Sequence, residues 1–477
     1  PAVVEADAAG VGLLVLTADR PPELRGTGAS QTIDQLGLYG RAVRMFTEVG
    51  VPEAVPGQVA YWRSLVGRAV AACADGPVHL NLALREPLTP DGGDWAEPLG
   101  GRPNGAPWVS VRRAAGGPPP ALADVLGLPG DEVPERGAVV VGDGAAASGN
   151  ARAAVALAEA CGWPVFAEPT SGARSGPNAV AGYPLLLADP EIAGAAPDLV
   201  VTVGRPGLSR SLLTWVRGAS RHVVVDAHPR WADPTRTAEV VLHTVPAAER
   251  TPGPWLARWQ QIAAAAGTAI DAVLDEAHES GELTEPGVAR ALGRALPAGA
   301  LLVTGPSRAV RDLELCLPAR GDLRVLGNRG VNGIDGVIST ALGAALAHQA
   351  AGGGAAAALL GDLTYLYDRN GLVLGPDEPR PDLTFVVVDN DGGGIFSMLP
   401  QAGVAGFERV FGTPHSLDVL ADAAAAGVPA LAAGSVAELD SALVPGAGLR
   451  VVRVRTDRDA TAELHRRLQK AVTASLR

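Results

Sequence analysis

Two apolar runs, residues 355–360 and 383–388, each lead into a polar cluster. The first ends in Gly361-Asp362-Leu363 and the second in Asp389-Asn390-Asp391-Gly392-Gly393-Gly394. Residues 364–374 between them can form a crossover helix. A strand–helix–strand unit makes its two strands parallel, so their carboxyl ends share one sheet edge. Asp362 and Asn390 then project into one crevice, where open α/β sheets bind ligands. A carboxylate and a neutral amide oxygen beside a flexible glycine run suit a hard cation such as Mg²⁺, and they leave coordination positions for phosphate oxygens. The outline is that of a metal–diphosphate site, which makes the chain an enzyme candidate.

A chain of 477 residues should hold two or three domains, and at 47% hydrophobic it has ample core material. A net charge of −12 without a basic block argues against nucleic-acid binding. The only lysine is Lys470, near the C-terminus, a poor place for the buried amine that Schiff-base chemistry needs. Cys73, Cys161 and Cys316 are far apart and form neither a metal spacing nor a disulfide framework, which fits a reducing cytoplasm. No signal peptide or membrane span is evident. The long apolar stretch 337–360 is broken by His348, Gln349 and the glycines at 352–354, and reads as a buried helix followed by a strand. The chain opens at Pro1 and soon enters the apolar run 11–16, so a preceding N-terminal piece is expected.

Along the chain, strands are expected at 11–16 and 78–84 with a helix at 58–74, then a Pro/Gly-rich linker over 86–137. A second α/β unit has strands at 138–141, 165–167, 199–203 and 222–225, followed by a helical connector at 254–280. A third unit runs from about residue 285 to the end. The fold class expected is α/β: three doubly wound parallel-sheet domains, at 1–95 (incomplete at its start), 96–284 and 285–477.

Further motifs leave alternatives open. Gly142-Asp143-Gly144-Ala145-Ala146-Ala147, with Glu168 ending the next strand, fits a loose dinucleotide fingerprint or a tight turn without a ligand. The glycine-rich run from Gly327 to Gly336 opens a helix near Val337, where backbone N–H groups attract phosphate. Arg311 follows Ser307 by four residues after the strand expected at 300–304, on one face of a first helical turn. A basic residue there opposes the helix dipole, so it either meets a carboxylate ligand or is simply solvated. Arg20 and Gln31 lie after the carboxyl end of the first strand, as site residues or as a loop ion pair and a helix start. None of the eight histidines reads as a metal pair or as part of a Ser–His–acid set, and His222, His228 and His243 read as structural or exposed.

Taken together, these motifs resemble a known family. Thr17-Ala18-Asp19-Arg20-Pro21-Pro22-Glu23-Leu24 with Gly28-Ala29-Ser30-Gln31 is similar to the signature of the 2-succinyl-5-enolpyruvyl-6-hydroxy-3-cyclohexene-1-carboxylate synthase family. So are Asn328-Arg329-Gly330, Gly333-Ile334-Asp335-Gly336, Gly361-Asp362-Leu363 and the run from Asn390 to Phe396. The resemblance covers the whole chain, and its metal motif is shared by thiamine-diphosphate enzymes generally. It implies a transferase of menaquinone biosynthesis that binds thiamine diphosphate and Mg²⁺, with Mn²⁺ as an alternative, in a homodimer or a dimer of dimers. The implied substrates are 2-oxoglutarate, which is decarboxylated, and isochorismate, which accepts the carbanion.

Carried over by residue, Asp362 and Asn390 would ligate the metal by side chains and Gly392 by its carbonyl. Gly361, Leu363, Gly393 and Ile395 would border the cofactor, and Ile334 would support it from beneath. Ser307, Arg311 and Arg329 would hold substrate carboxylates or the covalent adduct, Gln31 and Phe396 would contact the intermediate, and Arg20 and Arg210 would assist in substrate binding. Ser30 and Asp389 stand where the family and thiamine enzymes commonly have Asn. The glutamate that activates the cofactor in the family lies upstream of Pro1–Ala6, and Glu5 does not match it, so the chain by itself is expected to be inactive or nearly so. Competing readings are another thiamine-diphosphate decarboxylase or acetolactate-synthase-like enzyme, a non-catalytic relative, and a flavin or nicotinamide oxidoreductase resting on the Gly142–Ala147 loop alone.

Overall fold

Short runs rich in Val, Leu and Ala alternate with helices in the computed structural model, which describes all residues except 90–94, 112–116, 130, 131, 282 and 447. The described residues form three parallel sheets in two units. Pro1–Gly117 with Arg329–Gly333 make the first unit; Pro118–Asn328 with Ile334–Arg477 make the second. The boundary at residues 117 and 118 falls inside the Pro/Gly-rich segment read as a linker, of which 90–94, 112–116, 130 and 131 lie outside the described residues. Among the described residues no helix is long and apolar enough to cross a membrane.

The first unit carries β1 (Leu14–Asp19), β2 (Met45–Val49) and β3 (Val78–Ala83) in the order β1-β3-β2. The helix Gln58–Cys73 turns Leu65 and Ala69 onto Val49, Val78 and Leu80. The first strand begins at Leu14, three residues later than the sequence reading placed it. Helix Ala2–Ala9 ends at Gly10 in the left-handed conformation, and Val11 N–H bonds back to Ala6 at 2.8 Å, a frequent helix stop. Gly12 then passes the Cys73 carbonyl so closely that a Cβ would lie 2.5 Å from its oxygen.

The second unit holds two sheets. One contains β4 (Gly137–Val141), β5 (Val165–Ala167), β6 (Leu199–Val203), β7 (Arg221–Val225) and β8 (Val240–Leu242), ordered β5-β4-β6-β7-β8. The other contains β9 (Leu301–Thr304), β10 (Arg324–Gly327), β11 (Ala356–Gly361), β12 (Leu383–Asp389), β13 (Ala430–Ala432) and β14 (Arg450–Arg455), ordered β10-β9-β11-β12-β14-β13. Central strands such as β4, β6 and β12 are buried at every residue, as parallel strands covered on both faces must be. Phe166, Trp215 and Trp259 pack edge-on or tilted, at centroid separations of 4.9–5.4 Å. They join Leu464, Leu468 and Val472 of the C-terminal helix Arg458–Ser475 in one core.

The crossover helix between β11 and β12 starts at Asp362, not at residue 364, and gives way after Asp368 to a 3₁₀ turn at Arg369–Leu372. Gly361 is extended, and the Asp362 carboxylate accepts from the Leu363 N–H at 2.6 Å. An acidic residue in a first helical turn is favoured by the exposed N–H groups there.

Candidate active site

In the six-stranded sheet the chain runs from β9 to β10 on one flank and then to β11 on the other. The order therefore reverses between β9 and β11, and a crevice opens beyond their carboxyl ends. The parallel pairing of β11 with β12, Gly361 opposite Val388, brings Asp362 and Asn390 to that edge. A cleft of about 220 Å³ lies there. Ten of the residues singled out from the sequence line it: Ser307, Ile334, Gly361, Asp362, Leu363, Asn390, Gly392, Gly393, Ile395 and Phe396. A larger groove of about 680 Å³ in the first unit is walled by Trp62, Val66, Val70 and Trp108 and holds none of the predicted site residues.

Asp362 is 2% exposed. Its Oδ1 accepts from Leu363 N–H, and its Oδ2 accepts from Gly392 N–H at 2.9 Å and Asn390 N–H at 3.2 Å. Burial raises its carboxyl above the ordinary range, and the Gly392 and Leu363 N–H groups and His415 oppose that rise. Asn390 donates from Nδ2 to Glu285 Oε1 at 2.7 Å, while its Oδ1 is buried without a hydrogen-bond partner. Buried amide oxygens are rarely left unpaired. An orphaned amide oxygen beside a carboxylate is the donor set a hard cation takes, so these residues fit the metal the sequence implies.

The glycines serve close packing. Gly392 has φ 134°, and a Cβ on it would lie 1.9 Å from the Gly412 carbonyl oxygen. A Cβ on Gly393 would lie 2.1 Å from the Phe411 carbonyl oxygen. The cleft wall is thus built by two backbones in contact. Ser307 also has a positive φ, 70°, and stands as N-cap outside the helix Arg308–Cys316, not within its first turn. Such backbone conformations in non-glycine residues collect at functional sites.

Five predicted residues do not line the cleft. Arg311 folds back, its Nη1 donating to the Ser307 carbonyl at 2.7 Å. Arg210 is exposed in the first turn of the helix Arg210–Arg217. Arg20, Gln31 and Arg329 belong to the first unit. There Arg20 reaches the Ser30 carbonyl at 3.4 Å, and Gln31 is exposed with φ 58°. Glu5 accepts from Gly330 and Val331 N–H at 2.6 and 2.7 Å, so the backbone at 330–331 is occupied by a carboxylate of the same unit.

Three cleft neighbours escaped the sequence reading. Glu285, 4% exposed, opens the helix Glu285–Ala295; burial, then the charge of Asp312, pushes its carboxyl up to about 7. An acidic residue after a Thr N-cap looks like ordinary helix capping, which hid it. Arg308 lines the cleft, with its guanidinium engaged by Asp312 and His465. His415, which no sequence motif marked, lies beside Asp362. Its Nε2 is 3.3 Å from Asp362 Oδ2, and ligand atoms of Asp362, Asp389 and His415 all lie within 4.8 Å of one another. His415 Nδ1 accepts from Leu417 N–H at 3.0 Å.

The Gly142–Ala147 loop occupies the equivalent switch point of the five-stranded sheet, between β4 and β6, but the protein itself fills it. A Cβ on Gly142 would lie 2.1 Å from Pro206 N, and Arg205 pairs with Asp143 at 2.5 Å. Glu168, the candidate ribose acid, is fully buried and accepts from Gly207 and Leu208 N–H at 2.6 and 2.7 Å. These contacts favour the tight turn over a dinucleotide cradle.

No family model matches the chain. A 2-succinyl-5-enolpyruvyl-6-hydroxy-3-cyclohexene-1-carboxylate synthase of Thermobifida fusca is 55% identical over the whole chain, which spans 85% of that protein. The synthase of the same name from Saccharopolyspora erythraea is 46% identical, again over the whole chain and 84% of the relative. Among solved structures, a thiamin diphosphate-dependent type of enzyme from Mycobacterium smegmatis aligns with a TM-score of 0.65 at 19% identity, covering 95% of this chain and 84% of its own. Benzoylformate decarboxylase from Polynucleobacter necessarius aligns with a TM-score of 0.64 at 18% identity, covering 96% and 84%. These two likenesses concern the fold.

Proposed function

The chain belongs to the 2-succinyl-5-enolpyruvyl-6-hydroxy-3-cyclohexene-1-carboxylate synthase family, and from that premise we propose that it is the thiamine-diphosphate-dependent transferase of menaquinone biosynthesis that joins 2-oxoglutarate, with loss of CO₂, to isochorismate. The observation that carries the site assignment is the pairing of buried Asp362 with the orphaned Asn390 Oδ1 at adjoining strand ends.

Bound thiamine diphosphate supplies the electron sink for decarboxylation and carbon–carbon bond formation. Asp362, Asn390 and the Gly392 carbonyl would hold Mg²⁺, or Mn²⁺ in its place, whose charge would offset that of the diphosphate. Gly361, Leu363, Gly393 and Ile395 line that end of the cleft, and Ile334 offers the cofactor an apolar support. Phe396 borders the same cleft and contacts the intermediate. Arginine suits two dicarboxylate substrates because its planar fork binds carboxylates bidentately; Arg311 and Arg329 take that role, Ser307 adds a hydroxyl donor, Gln31 contacts the intermediate, and Arg20 and Arg210 assist in substrate binding.

We also propose the domain division 1–95, 96–284 and 285–477, supported by one sheet in each segment. A homodimer or dimer of dimers is proposed as the working unit. Apolar side chains such as Leu16 and Ile33, 59% and 63% exposed in the first unit, favour it, since exposed apolar surface marks interaction sites. Three free cysteines fit a reducing cytoplasm.

The test is isochorismate loss by protein expressed from its complete reading frame, with 2-oxoglutarate, Mg²⁺ and thiamine diphosphate. Loss that needs all three additions supports the assignment. Loss indifferent to any one of them, or none at all with thiamine diphosphate bound, refutes it.

A further inference from the structure

Asparagine offers a metal either an oxygen or an NH₂ group, and only the oxygen binds. The two ends differ by a half-turn of the side-chain amide, so something must choose between them. In this protein the Nδ2 end of Asn390 donates to Glu285 Oε1 at 2.7 Å, and Oδ1 is left on the other side, buried and without a hydrogen-bond partner. Oε1 of Glu285 accepts from the amide and from the Thr456 hydroxyl alike, so a flipped amide would set oxygen against oxygen. Glu285 is itself held in place. It is 4% exposed at the start of the helix Glu285–Ala295, and the Thr456 hydroxyl donates to the same Oε1 at 3.3 Å. Gly394 makes room for the amide, since a Cβ there would lie 2.6 Å from Asn390 Nδ2.

Resting on the metal-site reading above, we propose that Glu285 is a positioning residue: it selects the amide rotamer of Asn390 that presents Oδ1 to the divalent cation. Ligand-orienting groups behind a metal commonly change affinity by about 10- to 100-fold when removed. A glutamate 105 residues from its target thereby fixes which end of that amide faces the cleft.

The probe is Mn²⁺, with free ion followed by electron paramagnetic resonance in the presence of thiamine diphosphate. Asp362→Ala should abolish site binding; retained binding would overturn the metal-site reading and this assignment with it. If Asp362→Ala abolishes binding, Glu285→Ala should weaken Mn²⁺ at least tenfold while the apo protein keeps its far-ultraviolet circular dichroism. Affinity within twofold of the parent would overturn the role of Glu285 alone. A swap decides the matter independently of how Glu285→Ala folds. Asn390→Asp sets two carboxylates face to face, and adding Glu285→Gln returns a donor opposite an acceptor. The double variant should bind Mn²⁺ at least fivefold more tightly than Asn390→Asp alone, and equal affinities would refute the coupling.

Discussion

Gly361 and Gly392 border one cleft from adjoining strands, yet alanine should affect them in opposite ways. Gly392 sits at φ 134°, where L-residues carry a strain of about 1–3 kcal/mol. Its added Cβ would lie 1.9 Å from the Gly412 carbonyl oxygen, where real Cβ contacts keep at least 3.0 Å. That carbonyl accepts from Gly393 N–H at 2.7 Å, so relieving the clash pulls apart a hydrogen bond at the buried cleft wall, at about 1–3 kcal/mol. Gly392→Ala should therefore cost about 2–5 kcal/mol and also disturb the Gly392 N–H that holds Asp362. Gly361 is extended, at φ −80° and ψ 163°, and no heavy atom lies within 4 Å of its Cβ position. Gly361→Ala should leave stability unchanged or raise it by about 0.4–1 kcal/mol through the unfolded chain. Its methyl group adds bulk to the lining of the diphosphate cleft, so cofactor affinity should fall more than tenfold. Urea unfolding of the apo protein and tryptophan quenching by thiamine diphosphate with Mg²⁺ separate the two effects. An unchanged urea midpoint for Gly392→Ala, or a loss above about 1 kcal/mol for Gly361→Ala, would refute the close-packing argument.

Glu314 accepts from the Tyr183 hydroxyl, and burial, then the charge of Glu168, pushes it from 4.5 up to about 8. The folded state thus holds this proton more tightly than the unfolded chain; the stabilisation is full below about pH 4.5 and is lost as pH rises through about 8. Glu314→Gln should gain on the parent by up to about 1.4 kcal/mol per pH unit across that window, and a pH-independent difference in unfolding free energy would contradict the assignment. Trp259, 2% exposed in the aromatic cluster with Phe166 and Trp215, should cost about 3–5 kcal/mol when replaced by Ala, measured by urea unfolding; a loss below 1 kcal/mol would mean the cluster contributes little. Flavin adenine dinucleotide should show no fluorescence quenching with the protein, because Pro206 and Arg205 occupy the Gly142 turn, whereas Gly142→Ala should lower the melting temperature by pushing on the Pro206 backbone. Saturable flavin quenching, or an unchanged melting temperature in the variant, would restore the cradle reading.

Much of the site was legible because its logic is local. An apolar run ending in Asp, a crossover too long for a hairpin and a second run ending in Asn require parallel strands, and parallel strands place both polar ends on one edge. The strand pairing found between β11 and β12 follows from that pattern. The same reasoning is silent on which side chains meet across the sheet, because that depends on strand order and helix docking. Glu285 reaches Asn390 from 105 residues away, and His415 reaches Asp362 from a loop with no motif of its own. Arg311 turned to its own helix start, and the Gly142 turn closed on a neighbouring loop, although each motif also admitted a ligand site. Residue spacing along the chain determined the parallel sheets and the cation-ready pair at their edge. Tertiary packing alone decided which polar atoms found protein partners and which, like Asn390 Oδ1, did not, because hydrogen-bond satisfaction is settled between elements distant in sequence.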